Sequence, residues 1–172
     1  LRIVLGLKDD CSKGAARQIV TRFTVEERRV GEKKVDRKLC VLLAEDNAMN
    51  QKVAKLMLKK MGLSVVIANN GREAVEKFTF SPEDFELIFM DIQMPELDGT
   101  EATRAIRSKG FDNIPIVAMT ANAMKGDREI YLEAGMNDYV TKPFKKETVF
   151  KMIEKWIFDR EKHDFGGIDQ KA

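Results

Sequence analysis

Five short apolar stretches alternate with stretches of helical pattern from residue 39 onward, and this alternation restricts the chain to few folds. Each stretch is four to six residues long, which suits a strand that is buried on both sides. Strands that alternate with helices form a parallel sheet with helices on both faces, because the crossover connections are right-handed. The predicted strands are 39–44, 63–68, 87–90, 114–119 and 138–141.

The predicted fold class is a doubly wound α/β fold, a five-stranded parallel sheet in the order 2-1-3-4-5. Glycines are expected to end the first, third and fourth helices, at Gly62, Gly110 and Gly135. The helices are expected over 47–61, from 71 and from 99 onward, over 124–134 and over 145–158.

The spacing of apolar side chains predicts which face of three helices turns inward. In the first helix the predicted face is Val53, Leu56, Met57, Lys60 and Met61. In the second and third helices the predicted inward residues are Ala74, Val75, Phe78, Ala102, Ala105 and Ile106.

Polar residues follow four of the five predicted strands, and they carry complementary chemistry. Glu45 and Asp46 follow the first strand, Asp91 follows the third, Thr120 follows the fourth and Lys142 follows the fifth. Because the carboxyl ends of parallel strands meet at one edge, we expect these side chains to converge. Three clustered carboxylates repel one another unless a cation lies among them, and an all-oxygen set suits Mg²⁺.

Charge is unevenly distributed along the 172 residues, although the net charge is only +2. Residues 1–38 carry 11 Lys+Arg and 6 Asp+Glu, whereas residues 39–172 have a net charge of −3. A basic segment can contact nucleic acid or acidic lipid. We favour a solvated basic linker, because Phe23 is the one aromatic residue among its charges and no helix-turn-helix pattern follows.

Three further features bound the class of protein. No apolar stretch has the length of a membrane span, and no signal peptide opens the chain. Cys11 and Cys40 do not form a disulfide framework or a metal motif, which favours a reducing, cytoplasmic location. The start at a residue other than Met indicates a fragment of a longer protein.

Five motifs in order make the chain resemble the receiver domains of two-component response regulators, in particular those attached to hybrid sensor histidine kinases. The resemblance covers about residues 39–158 and implies a flavodoxin-like fold. It leaves 1–38 as a linker or the tail of a preceding domain, and 159–172 as a C-terminal tail. The motifs are Ala44–Asn47, Met90–Pro95, Asp98-Gly99, Met119–Ala121 and Tyr139–Phe144.

The resemblance implies that Asp91 is the phosphoacceptor, which attacks a phosphohistidine and becomes an aspartyl phosphate. It also implies that Asp46 and Asp91 bind Mg²⁺ together with the backbone carbonyl of Gln93. Glu45 is expected to act as a direct ligand or through a metal-bound water.

For the phosphoryl group itself, the resemblance implies that Lys142 pairs with one oxygen and that Thr120 donates a hydrogen bond to another. Tyr139 would be the aromatic residue that turns inward when Thr120 moves. A cis peptide is expected before Pro143. Gln93 and Asn122 would flank the site and tune the attack of water on the phosphoryl group.

Two other functions are compatible with parts of this pattern. One is a Mg²⁺-dependent hydrolase with an aspartate nucleophile, although Gln93 stands where such enzymes carry a second acid, two residues after Asp91. The other is a binding module that has lost phosphorylation.

For the preferred receiver function, the expected partner is a histidine kinase or a histidine phosphotransfer domain. A homodimer is compatible with it, whereas nucleic acid and membrane contact are not expected, nor is activity as a stand-alone enzyme.

Overall fold

A computed structural model describes residues 39–121 and 127–158. The predicted linker 1–38, the predicted tail 159–172 and residues 122–126, among them Asn122, lie outside the described residues. Within the described part of the chain, no helix combines the length and the apolar character that a membrane crossing requires.

Strands and helices alternate along the described chain, as predicted. The strands are β1 Cys40–Ala44, β2 Ser64–Ala68, β3 Leu87–Asp91, β4 Ile116–Thr120 and β5 Asp138–Thr141. The helices are α1 Ala48–Lys60, α2 Gly71–Phe80, α3 Gly99–Ser108, α4 Asp127–Glu133 and α5 Lys146–Ile153. A short 3₁₀ helix, Pro82–Asp84, precedes β3, and a π-helical turn, Glu154–Phe158, follows α5.

The five strands form one parallel sheet in the order β2-β1-β3-β4-β5, which confirms the predicted fold class. β1 therefore lies beside β3, and the chain reverses its direction of winding between them. Ala44 pairs with Met90, and Asp91 pairs with Met119. The carboxyl ends of these three strands thus stand level at one edge of the sheet.

Alternate side chains of the central strands enter two separate apolar layers, one on each face of the sheet. Leu42 and Ile88 belong to the layer that α2, α3 and α4 cover. Leu43 and Phe89 belong to the layer that α1 and α5 cover. Because both faces are covered, every residue of β1, β3 and β4 is buried, which explains the continuous apolar stretches in the sequence.

Side-chain caps and glycines set the ends of the helices. The side chains of Asn47, Asn70 and Asp98 each accept hydrogen bonds from backbone N–H groups at the start of α1, α2 and α3. The glycines predicted to end helices have positive φ angles, +85° at Gly62, +86° at Gly110 and +94° at Gly135. An L side chain rarely adopts this conformation, so the helices end where the sequence predicted.

The predicted inward face of α1 is wrong at three positions, because Val53, Leu56 and Lys60 are exposed. Ala54 and Leu58 are the buried residues of this helix. Apolar side chains surround much of α1, so their spacing alone does not select a face. The small side chain of Ala54 fits against the sheet, and this tertiary contact decides the orientation.

The final helix was predicted as one element over 145–158, but it changes type after Ile153. In the π-helical turn that follows, Lys155 Nζ lies 2.7 Å from Asp138 Oδ2, and Trp156 Nε1 donates to the same oxygen at 3.3 Å. Two adjacent side chains thus reach one carboxylate on β5. Apolar spacing over a single turn cannot distinguish this widened turn from a regular one.

Arg107 of α3 connects segments whose contact was not predicted from the sequence. Its half-buried guanidinium donates hydrogen bonds to the carbonyl oxygens of Phe111, Ile114 and Gly135 and to Asn137 Oδ1. Burial lowers the pKa of this arginine. These bonds hold the segments that precede β4 and β5 in position.

Asp98→Ala is expected to lower the free energy of unfolding by about 1 kcal/mol, because two backbone N–H groups of α3 lose their acceptor. Asp98→Asn keeps an acceptor oxygen and is expected to cost less. Urea-induced unfolding of both variants at neutral pH measures the difference, and equal losses would show that the charge matters rather than the cap.

The stabilising effect of Asp98 is also expected to depend on pH. Burial works to raise the pKa of this carboxyl, but hydrogen bonds from Glu101 and Thr100 outweigh it and the pKa is lowered. The charge therefore stabilises the protein above the unfolded pKa of about 3.9 and loses its effect as the pH falls through the folded pKa. The difference in free energy of unfolding between the wild type and Asp98→Ala should therefore become smaller in acid. A difference that does not change with pH would contradict this role of the Asp98 charge.

Candidate functional site

The polar residues predicted to converge do meet at the carboxyl-terminal edge of the sheet. Glu45 and Asp46 directly follow β1, Asp91 ends β3, Thr120 ends β4, and Lys142 directly follows β5. Carboxylate oxygens of Glu45, Asp46 and Asp91 all lie within 4.8 Å of one another. The adjacency of β1 and β3 produces this acidic cluster.

The cluster is buried on one side and open on the other. Glu45 is only 1% exposed and Asp91 only 4%, whereas Asp46 is exposed. The two buried carboxylates need partners, since an isolated buried charge is costly. The exposed carboxylate of Asp46 marks the side from which a solute can approach.

Residues at the start of α1 hold Glu45 in place. Asn50 Nδ2 donates to Glu45 Oε1 at 2.9 Å, and the backbone N–H of Asn47 donates to the same oxygen at 3.3 Å. Gln51 Nε2 donates to the backbone carbonyl of Glu45 at 2.6 Å. The Asn50-Gln51 pair therefore fixes both the side chain and the main chain of the first acidic residue.

Lys142 bridges the two buried carboxylates. Its Nζ lies 2.5 Å from Asp91 Oδ2 and 2.6 Å from Glu45 Oε2. The backbone N–H of Lys142 donates to the carbonyl of Thr120 at 2.7 Å, which connects the end of β5 to β4. The peptide bond between Lys142 and Pro143 is cis, as predicted.

The pKa values of Asp91 and Lys142 are shifted by burial and by these contacts. Burial raises the pKa of Asp91, and the nearby charge of Glu45 raises it further, while Lys142 and the backbone N–H of Gln93 act in the opposite direction. Burial works to lower the pKa of Lys142, but Asp91 and Glu45 outweigh it and this pKa is raised. The lysine thus stays charged where it contacts both acids.

Two backbone features fix the position of Asp91. The N–H of Gln93 donates to Asp91 Oδ1 at 3.2 Å. A Cβ atom placed on Gly99 would lie 2.0 Å from the carbonyl oxygen of Asp91, so only glycine fits there. The buried hydroxyl of Thr103 donates to the carbonyl of Gly99 at 2.8 Å. The sequence pointed to Gly99 only as the start of a helix, whereas the structure shows that it supports the acidic residue.

The donor set fits a hard divalent cation such as Mg²⁺. The residues that could hold it are Glu45, Asp46 and Asp91, all of which offer carboxylate oxygens. Oε2 of Glu45 is fully buried and forms an ion pair with Lys142. Among the described residues it accepts no hydrogen bond of good geometry. Gln93 is exposed beside the cluster, and ligation through its carbonyl stays a prediction.

An aromatic hydroxyl contacts Thr120, and it belongs to a residue that the sequence analysis did not single out. Tyr131 of α4 donates from its hydroxyl to Thr120 Oγ1 at 3.2 Å, and both residues are 7% exposed. Tyr139, the predicted switch residue, is half-buried, and its ring centre lies 6.4 Å from that of Tyr131. The sequence signal that could have identified Tyr131 is its place in a short helix, four residues before Gly135. A tyrosine that is buried there needs a hydrogen-bond partner for its hydroxyl.

Comparison with protein families and curated proteins gives consistent matches. The family model described as response regulator receiver domain matches residues 41–154. "Hybrid signal transduction histidine kinase I" of Dictyostelium discoideum is 46% identical over 123 residues, which are 68% of this chain and 7% of that protein. "Two-component system protein A" of Emericella nidulans is 42% identical over 118 residues, which are 68% of this chain and 17% of that protein. The chain thus spans a small part of these relatives.

Solved structures match over the same part of the chain. The receiver domain of the sensor histidine kinase PA1611 from Pseudomonas aeruginosa, solved with a magnesium ion in its active site cleft, is 42% identical with a TM-score of 0.65. That match covers 70% of this chain and 98% of the other. The receiver domain of Ssk1 from Saccharomyces cerevisiae, crystallised with the histidine phosphotransfer protein Ypd1, is 37% identical with a TM-score of 0.65. This second match covers 72% of this chain and 91% of the other.

Asp46→Ala is expected to weaken Mg²⁺ binding by about tenfold or more, because one of three carboxylates in the cluster is lost. Isothermal titration calorimetry with MgCl₂ measures the affinity. Asp84→Ala is the matched control, since Asp84 is an exposed acid in the 3₁₀ helix before β3 and lies outside the cluster. An unchanged Mg²⁺ affinity in Asp46→Ala would remove this residue from the ligand set.

Proposed function

This chain belongs to the response regulator receiver domain family, and we propose that Asp91 accepts a phosphoryl group from a phosphohistidine in a two-component phosphorelay. The observation that carries the proposal is the contact of Lys142 with both Asp91 and Glu45, within an acidic cluster that Asp46 completes. A nucleophilic carboxylate, a fixed cation and a set of oxygen ligands are the groups that phosphoryl transfer requires.

In the proposed reaction, a carboxylate oxygen of Asp91 attacks the phosphorus atom, the new P–O bond forms, and the P–N bond to the donor histidine breaks. The imidazole leaves with the electrons of that bond and takes up a proton. Hydrolysis of the aspartyl phosphate by water later returns the carboxylate and releases inorganic phosphate. Little covalent chemistry falls to the other side chains, whose task is to position the groups and to balance charge.

Each remaining residue of the site has a defined task in this proposal. Glu45, Asp46, Asp91 and the carbonyl of Gln93 would hold Mg²⁺, which would neutralise charge on the transferring phosphoryl group. Lys142 is already within contact distance of Asp91 Oδ2 and would pair with a phosphoryl oxygen after transfer. The hydroxyl of Thr120 would donate a hydrogen bond to another phosphoryl oxygen.

Two related structures support the cofactor and the kind of partner. The Pseudomonas receiver holds magnesium in its active site cleft, and the oxygen cluster of this chain has suitable donors for the same ion. The yeast receiver was crystallised with a histidine phosphotransfer protein, which supports a histidine phosphotransfer domain or a histidine kinase as the partner here. A hybrid histidine kinase as the parent protein is a further part of the proposal.

The hydrolase hypothesis has less support. Its second acid would stand at position 93, where this chain has an exposed glutamine, and its nucleophile would follow the first strand rather than the third. The binding-only hypothesis is opposed by the complete set of acidic residues, Thr120 and Lys142.

A homodimer and a cytoplasmic location stay predictions, the latter in accord with Cys40 as a buried thiol.

Asp91→Asn is expected to abolish labelling by acetyl phosphate in the presence of Mg²⁺, because an amide cannot form the acyl phosphate. Incorporation of phosphate, followed by intact-protein mass spectrometry, measures the outcome. Asp84→Asn is the control of the same chemistry at a distant exposed acid and should be labelled like the wild type. Full labelling of Asp91→Asn would show that another residue is the acceptor.

Lys142→Ala is expected to separate metal binding from phosphoryl binding. Mg²⁺ affinity should be kept or increased, since the two buried acids lose the ammonium group that contacts both of them. Affinity for beryllofluoride, a phosphoryl mimic, should fall by about tenfold or more, the effect of losing one hydrogen bond to a charged group. Calorimetric titration with each ligand measures both, and an unchanged beryllofluoride affinity would refute this role of Lys142.

A further inference from the structure

Tyr131 and Thr120 form a buried pair of hydroxyl groups behind the acidic cluster. The Tyr131 hydroxyl lies 3.2 Å from Thr120 Oγ1, and each residue is 7% exposed. By strand alternation, Thr120 is on the same face of β4 as Ala118, which belongs to the apolar layer that contains Tyr131. The Thr120 hydroxyl is therefore held on the α4 side of the sheet.

This contact bears on phosphorylation because a threonine hydroxyl has one proton and two acceptor positions. Tyr131 donates to Oγ1 and so fills an acceptor position, and the contact does not use the Thr120 proton. What the contact restrains is the position of Oγ1, which it holds toward α4 and away from another position. In a buried place, a broken hydrogen bond is costly unless a new partner replaces it. Tyr131 and a phosphoryl group on Asp91 are thus expected to compete for the position of the same hydroxyl.

The tyrosine that contacts Thr120 is Tyr131 of α4, and the switch role of Tyr139 of β5 stays a prediction. The ring of Tyr139 lies beside that of Tyr131, with centres 6.4 Å apart and planes inclined by 52°. Tyr131 is buried in the apolar layer, whereas Tyr139 is half-buried at its border. The two rings are thus neighbours, and Tyr131 is the one whose hydroxyl reaches Thr120.

We propose that Tyr131 is a positioning residue that restrains Thr120 toward α4 and must release it when the Thr120 hydroxyl turns to a phosphoryl group on Asp91. This inference rests on the proposed function. The contact between Tyr131 and Thr120 stabilises the unphosphorylated arrangement and makes the phosphorylated arrangement less favourable. It also couples the state of Thr120 to α4, where the neighbours of Tyr131, Ile130 and Leu132, are exposed.

The test compares beryllofluoride binding, in the presence of Mg²⁺, by the wild type and by Tyr131→Phe. Removing the restraining hydroxyl is expected to tighten beryllofluoride binding by about twofold to tenfold, the factor that one net hydrogen bond represents. The affinity for Mg²⁺ alone should not change, because neither Tyr131 nor Thr120 belongs to the carboxylate cluster. A merely structural role would shift both affinities together.

A double-mutant cycle assigns the effect to the pair. In a Thr120→Val background the hydroxyl that Tyr131 restrains is absent, so Tyr131→Phe should no longer change beryllofluoride affinity. Tyr139→Phe removes a hydroxyl from the neighbouring ring and serves as the comparison. Should Tyr131→Phe fail to fold, Tyr131→Met gives the same measurement with an adaptable apolar side chain.

Four outcomes overturn the inference: unchanged binding in Tyr131→Phe, weaker binding, an equal effect in the Thr120→Val background, or a larger effect from Tyr139→Phe. Weaker binding would mean that Tyr131 orients Thr120 for the phosphoryl group rather than against it. Failure of the wild type to bind beryllofluoride would instead contradict the proposed function. The backbone amide signals of Ile130 and Leu132 provide the spectroscopic check, since they should shift in Tyr131→Phe toward their positions in the beryllofluoride complex.

Discussion

The contact of Lys142 with Glu45 and Asp91 is the interaction on which the rest of the site depends. Two nearly inaccessible carboxylates lie close to a third, and such a group is unfavourable without a neighbouring cation. The lysine supplies one fixed positive charge between the two buried acids, and its raised pKa keeps that charge in place. Asp46, the exposed carboxylate of the cluster, is where a divalent ion would add the charge that the lysine alone does not supply.

The fold makes this arrangement by bringing together the ends of strands that are far apart in the chain. Parallel pairing puts β1, β3 and β4 in level register, and the helices on both faces bury these three strands, so that their polar residues stand together where the strands end. Individual contacts then fix the positions of the acidic residues. Asn50 orients Glu45, and the missing side chain of Gly99 lets the start of α3 approach the carbonyl of Asp91. Thr120 is held from a different side, by Tyr131 of α4, so the hydroxyl and the acidic cluster have independent supports.

Much of the fold and of the candidate site could be predicted from the sequence, because each rests on a local signal. The continuous apolar strands, the capping residues and the glycines after the helices gave the order and approximate ends of the elements, and the polar residues after the strands gave the members of the cluster. The inward face of α1 could not be predicted, since Ala54 rather than the larger Val53 meets the sheet. Arg107 and Tyr131 were missed for a related reason: their partners lie on other elements, and no spacing along the chain shows those contacts.

The sequence by itself determined that the chain folds as alternating strands and helices, and which acidic residues, hydroxyl and lysine stand at the strand ends. Those properties follow from the apolar pattern and from local backbone preferences, which act over a few residues. Only the tertiary structure decided that Lys142 contacts both buried acids, that Gly99 packs against Asp91 and that Tyr131 holds Thr120. These contacts join residues of different elements, and their geometry is set by how sheet and helices pack, because close packing fixes positions that the order of residues leaves open.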